Sequence, residues 1–484
     1  MNAQIRRLGI VLGALFVLLF VQLNWLQVVD AKKLNDNPTN TRAVIRDFSQ
    51  PRGVIQTADG VVIAQSTPTN DAFQRQRSYP EGSLFAHLTG YFSFTYGTDG
   101  AERTYNDALT GRDQKLSITR LGDLLLQKDH SANVTLTVSK ALQQVATDAL
   151  GPRKGAVVAL DPRSGAILAM ADYPSYDPNP LASHDQKTVR DAWTSLNADP
   201  NKPLLPRTYR ERYFPGSSFK VVTAATGLAT GTVSLTSPSY PVLSQLPLPQ
   251  STQPLSNFGG ERCGGPLPQD LKVSCNTAFA QLGLDLGGDK LSAGASAFGF
   301  TKVPPIDLPF GAASNFPDAA AFVHNKPALA KSAIGQQDVA ATPLQMALVA
   351  AGIANDGVVM TPHVLKEVRD SEGKVVDTYQ PQPWTTAVPA DVAHQVRDMM
   401  VGVVQGGTGT AAQIPGVTVA GKTGTAQTGR DTSHAWFVAF APAENPTVAV
   451  AVIIEDQPNV NEATGGAIAA PVARTVLQAA LGGK

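Results

Sequence analysis

The chain has 484 residues, 43% hydrophobic and 16% charged, an ordinary globular composition with length enough for two or more domains. Lys+Arg and Asp+Glu both number 39, so no basic excess points to nucleic acid or to strong binding of lipid headgroups. The seven histidines are scattered and no Cys/His clustering has metal-ligand spacing, so neither a metal site nor a cofactor motif is expected.

Residues 1–7 are short and polar and carry Arg6 and Arg7. From Leu8 to Val29 no residue is charged, and Trp25 stands near the far end as an interfacial aromatic would. This length spans a bilayer. A cleaved signal peptide would be shorter and would end in a small-x-small site, which is missing here. The segment therefore reads as a transmembrane anchor over 8–29. The paired arginines predict a cytoplasmic tail over 1–7 and place everything from Asp30 onward outside the membrane.

Residues 30–133 alternate short apolar runs with turn signals and read as a small, extended, β-rich pedestal with little core of its own. Val54-Ile55 and Val61-Val62-Ile63 flank an Asp59-Gly60 turn and predict a hairpin. Residues 79–111 are rich in Gly, Tyr and Phe and read as mostly loop. From 134 to 484 the pattern changes. Val134–Val138 is strand-like, and Ser139 caps a helical pattern of Leu142, Val145, Ala146 and Ala149. Gly155–Leu160 and Ala166–Met170 predict one hairpin, and Ala435–Phe440 with Val448–Ile454 another. Ala467–Leu481 reads as a helix. Strands at both ends with helical sequence between them predict an α/β (α+β) domain with one antiparallel sheet closed by early and late strands.

Ser217-Ser218-Phe219-Lys220 follows Pro215-Gly216 and precedes an apolar run. Ser217 then lies at or near a helix N-terminus with Lys220 on the same face. A serine hydroxyl is a weak nucleophile and needs an adjacent base. A desolvated lysine near another cation can be partly neutral and can take that proton. The same S-x-x-K pattern recurs at Ser371–Lys374, in a polar turn that reads as an exposed hairpin tip. Ser274-Cys275-Asn276 matches S-x-N, as do Ser131–Asn133 and Ser195–Asn197. Lys422-Thr423-Gly424 is the single K-[ST]-G, with Thr425 next to it. On a strand Thr423 and Thr425 share a face that can hold a substrate carboxylate, and Gly424 lets a substrate backbone approach. Each motif alone is weak. Only the copies at 217 and 274 put S-x-x-K, S-x-N and K-T-G in that order, with the first preceded by Pro-Gly.

That ordered set resembles the penicillin-binding proteins and serine β-lactamases. Gly155–Asp161, Pro215–Lys220, Ala333–Gln336 with Thr342–Gln345, Lys422–Thr425 and Trp436–Val438 are similar to the transpeptidase domain of class B penicillin-binding proteins. Arg52-Gly53 and Gly100–Arg103 are similar to motifs of their pedestal, and the likeness is to the actinobacterial PbpA group. The resemblance implies a peptidoglycan D,D-transpeptidase acting on stem peptides that end in D-Ala-D-Ala and acylated by β-lactams. It implies Ser217 as nucleophile, Lys220 as general base and Ser274 as proton relay supported by Lys422. Asn276 would orient substrate and Lys220, and the N–H groups of Ser217 and Thr425 would form the oxyanion hole. It also implies a lipid II polymerase of the SEDS type as partner, in division or elongation.

Cys263 and Cys275 lie in a compartment where disulfides persist. A bridge between them would contribute about 3 kcal/mol in the chain-entropy model, and the other reading is two free thiols. His434 reads as a strand-edge residue rather than a catalyst. A class A β-lactamase needs a deacylating glutamate between S-x-N and K-T-G, and from Asn276 to Lys366 there is none. A glycosyltransferase domain does not fit in the pedestal, and Glu81–His87 only superficially matches one. A hydrolytic D,D-carboxypeptidase is the alternative that differs only in its acceptor. A non-catalytic cell-wall scaffold is the other.

Overall fold

The computed structural model describes residues 2–26, 48–113, 130–428, 432–458 and 464–482. It divides into two units, Met1–Pro51 with Ser66–Gln76, and Arg52–Gln65 with Arg77–Lys484. The first contains helix α1 (Asn2–Asn24). Gln4–Asn24 is long and apolar enough to cross a membrane, and side chains such as Leu8, Phe16 and Phe20 are exposed. The end of the expected span, 27–29, lies outside the described residues.

In the second unit, β1 (Ile55–Gln56) and the first residues of β2 (Val62–Pro68) form the expected hairpin, with Ile55 opposite Ala64. Strand β3 (Asn133–Leu136) runs parallel to β1. Helix α2 (Lys140–Leu150) starts at Ser139, whose hydroxyl accepts a hydrogen bond from Leu142 N. Strands β4 (Gly155–Leu160) and β5 (Ile167–Tyr173) follow. Next come helices α3 (Lys220–Ala229), α4 (Leu267–Lys272), α5 (Asn276–Ala297) and α6 (Pro343–Ala354). Strands β6 (Leu365–Arg369) and β7 (Val375–Thr378) flank the 370–374 turn that carries the second S-x-x-K. Helix α7 (Ala390–Gly406), strands β8 (Ala420–Gln427), β9 (Thr432–Ala441) and β10 (Val448–Pro458), and helix α8 (Ala470–Ala480) complete it.

The central sheet is antiparallel in the order β8-β9-β10-β4-β5, so the late hairpin closes on the early one. The middle of this sheet, Gly155–Leu160, Ala435–Ala441 and Val448–Ile454, reads as unbroken apolar runs because both faces are covered. Val157, Phe437, Val450 and Val452 pack with α2 and α8, whereas Val158, Trp436, Val438 and Ala451 belong to the core shared with α3, α5 and α6. Neighbours in sequence thus enter opposite cores, as the two-residue period requires.

Two features differ from the sequence reading. Residues 79–111 hold short helices, Ala86–Thr89, Gly100–Thr104 and Asn106–Leu109. Their aromatic residues do not decorate loops: Tyr79, Phe85 and Tyr105 are buried in the main core. His87, in the segment that superficially matched a glycosyltransferase, is buried with Nδ1 3.1 Å from Asp172. Turns this short are set by tertiary packing, which no local period reports. In addition, β3 pairs with β1 on one side and with β6 on the other, so one sheet draws strands from both sides of residue 134.

Candidate active site

Ser217 sits on the 3₁₀ turn Gly216–Phe219 that leads into α3. The turn is pinned from several directions. Gly216 N donates to Gly335 O at 2.9 Å, Ser218 Oγ to Pro215 O at 2.7 Å, and Trp436 Nε1 to Phe214 O at 3.0 Å. Phe219 stacks on Phe316. Gly216 has φ +52°, and a Cβ there would stand 2.6 Å from Thr425 O. Only glycine lets this turn lie against β8. The corresponding room at Gly424 is used in the same way: a Cβ would stand 2.8 Å from Pro215 O and 3.1 Å from Ser218 N. On that side Gly424 admits the turn that carries Ser217, not a substrate.

Lys220 is fully buried at the start of α3. Its Nζ donates to Ser274 O at 2.7 Å and to Asn276 Oδ1 at 2.7 Å, and lies 3.3 Å from Ser274 Oγ. Lys422, also fully buried, donates from Nζ to Ser274 Oγ at 2.8 Å and to Thr423 O at 2.9 Å. Ser274 Oγ therefore lies between two amines. A hydroxyl has one proton, so it can accept from one amine while donating to the other only if that other is neutral. The electrostatics favour this arrangement. Burial, reinforced by the Lys422 charge, pushes Lys220 well below the ordinary lysine range. Burial lowers Lys422 to about 7.

Ser274 holds this position at some cost, with φ at +60°. A non-glycine residue there is strained by about 1–2 kcal/mol. It links α4 to α5, and Asn276 is the first residue of α5. The link is tied down by Cys275 N donating to Asp270 O at 2.9 Å and Thr277 N donating to Asn257 Oδ1 at 2.9 Å. A disulfide joins Cys275 to Cys263, with Cα atoms 5.7 Å apart. Thr423 and Thr425 share a face of β8. Thr423 Oγ1 is 2.6 Å from Thr408 Oγ1, and Thr425 Oγ1 accepts from Gly465 N at 3.4 Å.

Ser217, Lys220, Ser274, Asn276, Lys422, Thr423, Gly424 and Thr425 thus meet where the 3₁₀ turn, the α4–α5 link and β8 converge. Ser371 does not join them. It stands in the exposed 370–374 turn, where Lys374 N donates to Asp370 Oδ1. His434 lies on β9 opposite Ala426, with Nδ1 accepting from Asp456 N at 3.2 Å and its ring against Tyr213. Burial lowers its pKa. Sequence reasoning missed Asp270, Asn257 and Thr408. Asp270 had a faint signal, being four residues before Ser274 between Leu267 and Leu271, which are buried. Among the described residues no group of three or more His, Cys, Asp or Glu is placed to hold a metal.

A serine at a helix start, with a buried lysine of lowered pKa three residues on and a second serine bridging that lysine to another, fits a serine acyltransferase site. Comparison with known proteins agrees. The family described as the penicillin binding protein transpeptidase domain matches residues 155–478, and the penicillin binding protein A dimerisation domain matches 52–134. The chain is 43% identical to the peptidoglycan D,D-transpeptidase PbpA of Mycolicibacterium smegmatis, over 99% of each chain. It is 40% identical to the PbpA of Mycobacterium tuberculosis over the whole of both. The ceftriaxone acyl-enzyme of M. tuberculosis penicillin-binding protein A superposes with a TM-score of 0.83 at 40% identity, covering 90% of this chain and 100% of that one. The chain belongs to the penicillin-binding D,D-transpeptidases.

Proposed function

We propose that this chain cross-links peptidoglycan through an acyl-enzyme on Ser217. Lys220 takes the proton of Ser217 as its Oγ attacks the carbonyl of the penultimate D-Ala of a stem peptide. The N–H groups of Ser217 and Thr425 hold the oxyanion. Ser274, supported by Lys422, passes a proton to the leaving amine, and D-Ala departs. Asn276 orients Lys220 and the donor peptide, and Thr423 and Thr425 receive its terminal carboxylate. An amine of a second stem peptide then takes the acyl group and frees Ser217. β-Lactams enter as imitations of the donor.

The observation that carries this reading is Ser274 Oγ, bridged between Lys422 Nζ at 2.8 Å and Lys220 Nζ at 3.3 Å. One hydroxyl joins two buried amines and offers a path for a proton between them. The remaining organisation follows. Residues 1–7 are cytoplasmic, 8–29 anchor the chain, 30–133 form the pedestal and 134–484 the extracytoplasmic catalytic domain. The pedestal docks a SEDS-type polymerase of the division or elongation machinery.

The test supplies purified full-length protein with a D-Ala-D-Ala stem peptide and a D-amino acid acceptor. Exchange of the terminal residue exceeding hydrolysis supports transpeptidation. Hydrolysis alone would replace this reading with a carboxypeptidase.

A further inference from the structure

The site contains a charge imbalance that the mechanism above does not use. Lys220 and Lys422 are both fully buried and share Ser274 Oγ. The oxygens that Lys220 Nζ reaches, Ser274 O, Ser274 Oγ and Asn276 Oδ1, are all neutral. The Phe279 ring, 5.5 Å away, is another wall. A buried ammonium with only neutral partners is unfavourable.

Asp270 presents the opposite anomaly. It is 0% exposed on α4, and neither oxygen of its carboxyl accepts a hydrogen bond among the described residues. Buried polar groups are almost always paired, so an orphaned carboxyl needs an explanation. Asp270 is also built into the site. Its backbone oxygen receives Cys275 N at 2.9 Å, which ties it to the link that carries Ser274 and Asn276.

Resting on the reading of Lys220 as general base, we propose that Asp270 is a positioning residue that sets the proton affinity of Lys220 through space. Ionised, it compensates the ammonium formed when Lys220 takes the Ser217 proton. No atom passes between the two groups: the proton moves from Ser217 Oγ to Lys220 Nζ, and the carboxylate stabilises the product. In support, burial raises Asp270 to about 7 while Lys220 pulls it down, and the Asp270 charge in turn raises Lys220.

The other charged groups around it are committed elsewhere. Tyr240 donates to Asp285 at 3.0 Å, and Asp289 and Lys290 on α5 are exposed. On α7, packed against α4, His394 pairs with Asp356 and Arg397 with Asp398, and Asp391 is exposed. Lys422 faces Ser274, and Lys272 lies by Gly406.

The experiment measures the second-order rate of acylation by a fluorescent penicillin against pH. It uses full-length wild type, Asp270→Asn, Asp270→Ser and Asp270→Glu, with Ser217→Ala as blank. In the two neutral variants the acid limb moves to lower pH by about half a unit or more. Their plateau falls severalfold because the base is weaker. Asp270→Glu keeps the limb near wild type. Having two neutral variants of different volume guards against one that does not fold. A plateau that falls with the limb unmoved in both would make Asp270 merely structural and overturn the proposal, while labelling confined to proteins with Ser217 would leave the mechanism intact. Absence of labelling in wild type would overturn both.

Discussion

Two buried charge clusters in this chain show opposite uses of the same physics. In the pedestal, Glu102 is fully buried and is gripped by two arginines. Its Oε2 accepts from Arg52 Nε at 2.8 Å and Nη2 at 2.5 Å, and its Oε1 accepts from Arg77 Nε at 2.6 Å. Desolvation pushes its carboxyl up, but Arg52 and Arg77 outweigh it and hold the pKa below the ordinary carboxylate range. Around Ser274 the two lysines are equally buried but find mostly neutral oxygens, and desolvation drives both down. The first cluster keeps its charges and fixes structure. The second gives up charge more readily than ordinary lysines do, which is the property a general base needs.

Replacing one member from each cluster makes the comparison sharp. Lys220→Met removes the base while leaving an unbranched apolar chain in a buried slot. Acylation by penicillin falls by about 10²–10⁴-fold, and the thermal midpoint does not fall, because a buried amine has been removed. A variant that keeps its acylation rate would put the base elsewhere. Glu102→Gln does the reverse. It strands two buried arginines and lowers stability by about 3–5 kcal/mol, read from denaturant unfolding. Acylation per folded molecule is unchanged, and a loss of activity without a loss of stability would erase the distinction.

A smaller effect separates the clusters by pH. Lys422 titrates at about 7 in the fold against 10.5 ordinarily, so the unfolded chain binds the extra proton between those values. Stability therefore rises from about pH 7 to about 10.5 and is flat beyond. Relative to Lys422→Met, wild type gains stability over that window. Parallel curves for the two proteins would mean that Lys422 is not desolvated. Glu102 has the same slope in a different window, its pKa also being depressed in the fold. Its contribution is complete above the ordinary glutamate value of 4.5 and is lost as pH falls below it. Glu102→Gln thus differs least from wild type in acid.

The reasons some features were legible in sequence follow from range. The three motifs could be ordered because each carries its chemistry in a few adjacent residues. The apolar runs of β4, β9 and β10 could be read because a strand covered on both faces has no polar side. Ser371 could be set aside from its own polar neighbours. What was hidden depends on partners distant in sequence. The pairing of β3 with β6 joins Val134 to Val368, and nothing local to either announces it. The left-handed φ of Ser274 is imposed by the segment around it, since serine has no preference for that region. Asp270 looked like any helix aspartate, and Gly424 like a gap for substrate, until the Ser217 turn was seen to fill that space.

The central claim is that Ser217, not the serine of the second S-x-x-K, carries the acyl group. Full-length wild type, Ser217→Ala and Ser371→Ala are treated with penicillin, digested, and the adduct located by mass spectrometry. The account predicts one stable adduct, on the peptide containing Ser217, in wild type and Ser371→Ala, and none in Ser217→Ala. An adduct that persists in Ser217→Ala would contradict it.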